Sequence, residues 1–572
     1  MRPHAPGSEP PTTTLNPVSA TDQPSGLAHV LSQRPDDELV ALLGARPDLA
    51  SPPPGGVNVL AQRAMSAGSI NVVGEELDLL HAAILEVLLA ATEGDRGSRA
   101  RRAVSDAAVR KALSGRAAAA QINAHLATLV DLAIVWREDA GLHIAGHTTA
   151  ALPWRARHIA TDQAPRTPLQ WQELLDDLDD GPREVLTALA MGPSVGMTND
   201  AGPDADPARP VPRLLAAGLV ARVDRQLVEI HPTVAQLIRG EPPLRIDDLR
   251  PPPLPAATTT ASALGGPAAL SATAAGAALE LLRETADVLD SLGRTPAPEL
   301  SSSGIGIREL RRIAKDTGLT AQRVGLILEL CAAQQLIAVG YAQPESQGYD
   351  AARIWAPTPL ADAWAHHNPA RKWAGLATSW LMLTHRPWLI GERDAEGKVI
   401  GAVVVQSDFA APRERRQLLE SLAQADPGVA PSIDDLVSRT LWRRPRMRRR
   451  LTRQAAQHTL REATELGLVA HGALTEVGRL LLAGPADDEL TGAMDKALPA
   501  PVDHFLAQAD LTLMVPGPMT AELAPQVALI AELESAGAAS VYRVTEDSVR
   551  RALDAGHTGA EIVALLHNHS KT

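Results

Sequence analysis

One arrangement of residues returns four times along this chain and limits its fold more than any other feature. It is seen in HLATLVDLAIVWREDAGLHIAG (125–146), RLLAAGLVARVDRQLVEIHPTVAQLIRG (213–240), LILELCAAQQLIAVGYAQ (326–343) with ARIWAPTPLADAWA (352–365), and REATELGLVAHGALTEVGRLLLAG (461–484). In each, an amphipathic helical pattern ends in a Leu-Val or Ile-Val strand, and a turn and a second strand follow. In the three later copies a Thr or Pro then opens a short helix.

Upstream of each hairpin lie segments of helical length. EELDLLHAAILEVLLAAT (75–92) and VSDAAVRKAL (104–113) serve the first copy, and GIRELRRIAKDTGL (306–319) serves the third, with Thr320 as N-cap of the helix that follows. Helices leading into a two-stranded wing read as a winged helix, whose helix before the wing is the usual recognition helix. The expected class is mainly α with small β-hairpins: tandem winged-helix-like domains followed by a small α/β domain.

Composition supports this. Hydrophobic residues make up 45% of 572, yet aromatics only 2%, so the cores must be built from Ala, Leu and Val, with the nine tryptophans as anchors. The single cysteine, Cys331, excludes a disulfide or a cysteine zinc cluster and reads as a buried thiol in a reducing, cytoplasmic compartment with nucleoid association. There is no N-terminal apolar segment and no run of 18 apolar residues, so no membrane partner is expected.

Low-complexity breaks divide the chain. Residues 1–24, rich in Pro, Ser and Thr, are expected to be disordered. Residues 25–150 form an N-terminal helical region with the first winged-helix-like unit, and 165–245 the second. Residues 246–276, with PPPLPAATTT and SALGGPAALSATAAG, read as linker. The third unit spans 277–370, the fourth 371–484, and the last domain 497–572. Residues 199–212, 295–304 and 484–502 read as loops.

The last domain follows different rules. Ala509, Leu511, Leu513 and Val515 alternate with polar neighbours as in a half-buried strand. Val527, Ile530 and Leu533 stripe a helix, residues 539–544 read as a second strand, and Thr558 with Glu561 forms a capping box. The order expected is β-α-β-α-α.

Chemistry-bearing motifs are absent. GERDAEGKVI (391–400) is one residue too long for a phosphate loop and has Val399 where a hydroxyl is needed, so it reads as a β-turn at Glu396-Gly397-Lys398. Asp487-Asp488-Glu489 reads as a polar loop. His366-His367 and the pair His567 and His569 lack metal-ligand spacing, and no Gly-x-Ser-x-Gly elbow occurs. No catalytic residue, metal site or cofactor is predicted.

Charge is the exception. RTLWRRPRMRRRLTRQAAQHTLR (439–461) holds nine arginines and no acid, which leaves −22 on the rest of a chain whose total is −13. Arg443, Arg444, Arg446, Arg448, Arg449, Arg450 and Arg453 fill the turn and helix start before the fourth wing, where winged helices meet DNA, and arginine can hold phosphates or read guanine. Trp442 would stack on a base or anchor the turn. The competing readings are solvated surface and pairing with acids elsewhere. A weaker cluster, Arg308, Arg311, Arg312, Lys315 and Arg323, occupies the corresponding region of the third copy. Residues 487–572 carry thirteen acids and five bases, which favours protein docking over phosphate binding there.

Several segments also carry a resemblance. LPAPVDHFLAQADLTLMVPGP (498–518) and ESAGAASVYRVTEDSVRRALDAGHT (534–558) resemble the N-terminal, non-motor domain of XPB-type DNA helicases. With DELVALLGARPDLASPPPGGVNVLAQRA (37–64) they look like a family of actinobacterial helicase-associated proteins. The resemblance implies DNA repair or transcription-linked DNA transactions, in company with a helicase or a transcription or repair protein, without a motor. Similar proteins continue past residues 569–572, so the last domain is expected to lack an edge. The leading expectation is a non-catalytic protein that binds duplex or junction DNA. The alternatives are a scaffold docking a helicase or polymerase, and a winged-helix transcriptional regulator with an effector pocket.

Overall fold

A computed structural model describes residues 26–93, 104–138, 141–160, 164–255, 266–341, 353–405, 407–520, 522–535 and 540–571. The expected disordered tail, 1–24, lies outside them. Among the described residues are twenty-five α-helices and fourteen short strands, a mainly α chain with small antiparallel sheets. The chain divides into two compact units: residues 1–232 with 245–250, and residues 233–244 with 251–572.

In the first unit, helices α1 (Leu79–Glu93), α2 (Asp106–Ala112) and α3 (Ala119–Asp131) precede the hairpin β1 (Val135–Glu138) and β2 (Gly141–Ile144). Val104, between α1 and α2, bridges to Leu142 on β2. The second copy runs α4 (Asp180–Met191), β3 (Val195–Met197), α5 (Pro210–Ala216), β4 (Val220–Arg222) and β5 (Leu227–Ile230), with sheet order β3-β5-β4. The stretch 199–212, expected as a loop, thus contains a 3-10 turn and the start of α5.

The second unit opens on α6 (Gly266–Arg294), the longest helix described. Then come β6 (Ala297–Pro298), α7 (Ile307–Thr317), α8 (Ala321–Ala333), β7 (Ile337–Tyr341) and β8 (Arg353–Pro357), with order β6-β8-β7. Helix α9 (Pro369–Met382) leads to the fourth copy: α10 (Ala411–Leu422), α11 (Ile433–Arg443), α12 (Arg453–Glu465), β9 (Val469–Ala470), β10 (Ala473–Leu474) and α13 (Glu476–Ala483).

The four copies share more than element order. Two residues past the helix that precedes each hairpin, the backbone turns left-handed: Ala133 (φ 54°), Gly218 (φ 73°), Gln335 (φ 59°) and Gly467 (φ 71°). The next amide, of Ile134, Leu219, Leu336 or Leu468, donates five residues back into the helix at 2.8–3.1 Å. This is the closure that satisfies orphan carbonyls at a helix end. All four of these apolar side chains are buried. Their carbonyls accept from Ala145, His231, Thr358 and Thr475, the residues that leave the hairpin, at 2.8–3.1 Å. One backbone circuit therefore joins helix, hairpin and exit in every copy.

Several expectations change. Residues 266–276, read as linker from their Gly, Ala and Ser content, are the first turns of α6; Ala is the best helix former, and Leu270, Ala274 and Ala275 are buried on one face. Of the rest of the expected linker, 246–255 is described and buries Ile246 and Leu249, while 256–265 lies outside the described residues. Asp487, Asp488 and Glu489, read as a loop, form the first turn of α14 (Asp487–Ala497), where acids suit the helix dipole. Of the nine tryptophans, all but Trp388 are buried, and Trp388 stacks on His458.

The last domain comprises β11 (Leu506–Ala507), β12 (Thr512–Val515), α15 (Leu523–Ile530), β13 (Glu532–Ser535), β14 (Ser540–Arg543), α16 (Glu546–Asp554) and α17 (Gly559–His569). Its sheet order is β11-β12-β14-β13, antiparallel throughout, so the expected β-α-β-α-α gains two strands. Leu533, expected on a helix, lies on β13, because α15 ends at Ile530. Leu511, expected inside, is 63% exposed at a positive φ, and the strand begins one residue later. Phe505, Leu513, Val515, Val527 and Ile562 make the core, and Thr558 and Glu561 form the expected capping box.

Candidate nucleic-acid interface

The acid-free run 439–461 folds as the end of α11, a 3-10 turn at Pro445–Arg449, and α12. Ser432 and Thr452 cap the two helices through their hydroxyls. Within the turn, apolar and basic residues sort by side. Trp442, Pro445, Met447 and Leu451 are buried, while Arg449 and Arg450 are exposed and Arg444, Arg446 and Arg448 half-buried. Trp442, at 7% exposure, anchors the turn and offers no face to a base.

Part of the charge is tied down inside the second unit. Arg443, with a side chain 16% exposed, donates to Ser421 Oγ at 3.1 Å and lies 3.5 Å from Glu420. Arg450 reaches Glu414 at 2.7 Å, a carboxylate that it shares with Arg386. Arg453 grips Asp434 with two 2.7 Å bonds, while its backbone amide donates to Glu241. Arg461 pairs with Glu465 at 3.0 Å. Arg450 and Arg453 nevertheless keep nearly half of their side-chain surface exposed. Arg239 shows how crowded the cations are: burial and then nearby Arg449 push its guanidinium down, against the pull of Glu241.

The supporting layer was not visible in the sequence. Arg415 on α10 is buried and donates to the carbonyls of Trp380, Leu383 and His385 at 2.8 Å each. Burial pushes it down to about 10 and pushes neighbouring Glu462 up to about 6, although Glu462 accepts from Trp380 Nε1. Glu414 on the same helix orients both Arg386 and Arg450. These acids and bases lie far apart in sequence, and only the packing of α10 under the turn unites them.

The weaker cluster splits. Arg308, Arg311 and Lys315 are exposed and share a face of α7. Arg312 is held by Glu309, Asp316 and the Thr295 carbonyl, and Arg323 by Glu284 and Glu465. Helix α8, the helix before the third hairpin, is buried from Val324 to Cys331, because α6, α7 and α9 pack around it. It presents no face to a groove. Helix α12, by contrast, exposes Arg453, Gln454, Gln457 and Arg461.

Residues 391–400 form the expected turn, with Gly397 at φ 79° and Arg393 bridged to Val399. The histidine pairs at 366–367 and 567–569 sit at helix ends. In the first unit the fold brings together Asp78, His81 and His125, a set that sequence spacing did not reveal. The first unit also holds a cleft of about 210 Å³, open to solvent, beside Trp171, His158 and His231.

Residues 505–572 match the family described as a helicase conserved C-terminal domain. The match covers the whole four-stranded sheet and α15 to α17, and none of the four repeated copies. No curated protein matches the chain. Among the described residues, no helix is long and apolar enough to cross a membrane.

Proposed function

We propose that this chain is a non-catalytic, helicase-associated DNA-binding protein whose four repeated copies are winged helices. The shared order of helices and hairpin, and the outer strand pairing with the second hairpin strand in three copies, support the winged-helix reading. The observation that carries the DNA reading is the turn between α11 and α12. Its apolar residues are buried, Arg449 and Arg450 are exposed and Arg446 and Arg448 half-buried, and it opens onto α12, which exposes Arg453, Gln454, Gln457 and Arg461. Phosphates would dock on Arg446, Arg448, Arg449 and Arg450, and bases would be met by Gln454 and Gln457 on α12. Arg308, Arg311 and Lys315 form a second, smaller contact. The C-terminal domain, resembling the non-motor domain of XPB-type helicases, would dock a helicase or a transcription or repair protein, as its net negative charge suits.

The test is fluorescence anisotropy on single-stranded, duplex and forked DNA across a salt series. Changing Arg448, Arg449 and Arg450 to alanine should weaken binding and lower the salt slope by up to about 2.7, three phosphate contacts' worth. An unchanged affinity and slope in a folded triple variant would refute the assignment. A second reading, a scaffold that docks a helicase or polymerase, draws on the arginines already paired with Glu414, Glu420 and Asp434. It predicts a stable protein partner and no DNA shift at low salt.

A further inference from the structure

Asp78 stands at the N-terminus of α1, where its Oδ1 accepts from the backbone amide of His81 at 2.9 Å. The same carboxylate is approached by two imidazoles. His81 Nδ1 lies 2.8 Å from Oδ1, and His125 Nε2, from α3, lies 2.9 Å from Oδ2. The rings are close and tilted, with centroids 4.4 Å apart. All three side chains are largely buried, at 15%, 11% and 20% exposure for Asp78, His81 and His125.

The hydrogen bonds at His125 call for a positive charge at this cluster. His125 Nδ1 sits 2.8 Å from the carbonyl oxygen of Gln121. A carbonyl can only accept, so Nδ1 carries the hydrogen. A neutral His125 then has a bare lone pair on Nε2, aimed at a carboxylate oxygen that is also only an acceptor. Two things satisfy both atoms: a second proton on the imidazole, which then donates to Gln121 and to Asp78, or a metal ion bound by Nε2 and the carboxylate. His81 carries a separate unmet need: its Nδ1 is engaged at Asp78, while its Nε2 is buried with no hydrogen-bond partner.

We infer that Asp78, His81 and His125 form a binding site for one divalent transition-metal ion of the zinc class, which ties the start of α1 to the middle of α3. Two imidazoles and one carboxylate are the donor set such ions prefer, whereas magnesium and calcium take oxygen. The donor atoms lie within 4.8 Å of one another, and bonds of about 2.0–2.1 Å would set them roughly 3.3 Å apart, slightly wider than the present 2.8 and 2.9 Å contacts. The Gln121 carbonyl does what a second-shell partner does at metal-bound histidines: it fixes the tautomer and the ring plane. A fourth position stays open to water. The site lies in the first unit, and its role is to brace the first helix–hairpin copy.

The test uses the full chain stripped of metal and titrated with Co²⁺, followed by its visible ligand-field absorption. One equivalent should give the band of a four- or five-coordinate ion, and Zn²⁺ should bleach it. His125→Ala and Asp78→Ala should each weaken binding beyond the roughly 10–100-fold that loss of an outer-shell partner costs. A variant with His567→Ala and His569→Ala should bind as wild type does. X-ray absorption on the Zn²⁺-loaded wild-type protein gives a readout independent of any variant: two imidazoles in the first shell support the site. No stoichiometric band, a band that survives in every variant, or a first shell without imidazole overturns it and leaves a proton as the particle shared by Asp78 and His125.

Discussion

Gly467 is the most constrained link in the fourth copy, and replacing it by alanine measures how much the repeated backbone circuit matters. Two terms add. The residue sits at φ 71°, where an L side chain costs about 1–2 kcal/mol. A Cβ there would also lie 2.4 Å from the Ala274 carbonyl oxygen and 3.0 Å from Trp373 Cζ2. The oxygen belongs to the backbone of α6, so it cannot swing aside, and Trp373 is fully buried. Forced overpacking of this kind costs about 1–3 kcal/mol. Gly467→Ala should therefore destabilise the second unit by about 2–5 kcal/mol, a large share of ordinary stability. Gly484 is the internal control: it has φ 69°, but a methyl group added there would meet nothing within 4 Å, so Gly484→Ala should cost only the backbone term, about 1–2 kcal/mol. Urea unfolding followed by tryptophan emission reads both, since Trp373 abuts Gly467. Equal midpoint shifts for the two variants, or a Gly467→Ala shift below about 0.5 kcal/mol, would refute the steric argument.

Two further outcomes follow from buried groups. Burial raises Glu462 to about 6, above an ordinary value of 4.5, so its protonated form suits the fold better. Its stabilising contribution is fully present below about pH 4.5 and is lost as pH rises through 6, a fall of about 2 kcal/mol. Glu462→Gln keeps an acceptor for Trp380 and should flatten that part of a stability–pH profile measured by urea midpoints; an unaltered slope would count against it. Cys331 is fully buried, and its thiol is pushed up to about 12 by that burial. A disulfide reagent at pH 8 should react with it only as fast as the second unit opens, and reaction at the rate of a free thiol would contradict the packing.

The hairpin copies were legible because alternation and helical period are local signals, and the turn residues that separate them are equally local. The start of α6 was not, because Ala, Gly and Ser serve a linker as well as a helix until Leu270, Ala274 and Ala275 find something to pack on. The strand β13 was hidden for the converse reason: Leu533 continues a helical stripe in sequence, and only pairing with β14 draws it into the sheet. At the candidate interface the run of arginines was plain, but which of them are held was not. Glu414, Glu420 and Asp434 lie upstream on α10 and α11, and no spacing rule links them to Arg450, Arg443 and Arg453. The Asp78, His81 and His125 set shows the same limit, for Asp78 and His81 are sequence neighbours while His125 joins them only through the packing of α3 on α1.

Helix α6 spans 29 residues, roughly 43 Å, and packs against α7, α8 and β8 of the third copy and against α12 and β9 of the fourth. The third and fourth copies are thus not beads that can be separated. A protease or a gene truncation that cuts after the third copy strips α6 of half its partners and strands the fourth hairpin without a floor. The helix that follows the arginine turn thus packs on one that begins more than 170 residues before that turn.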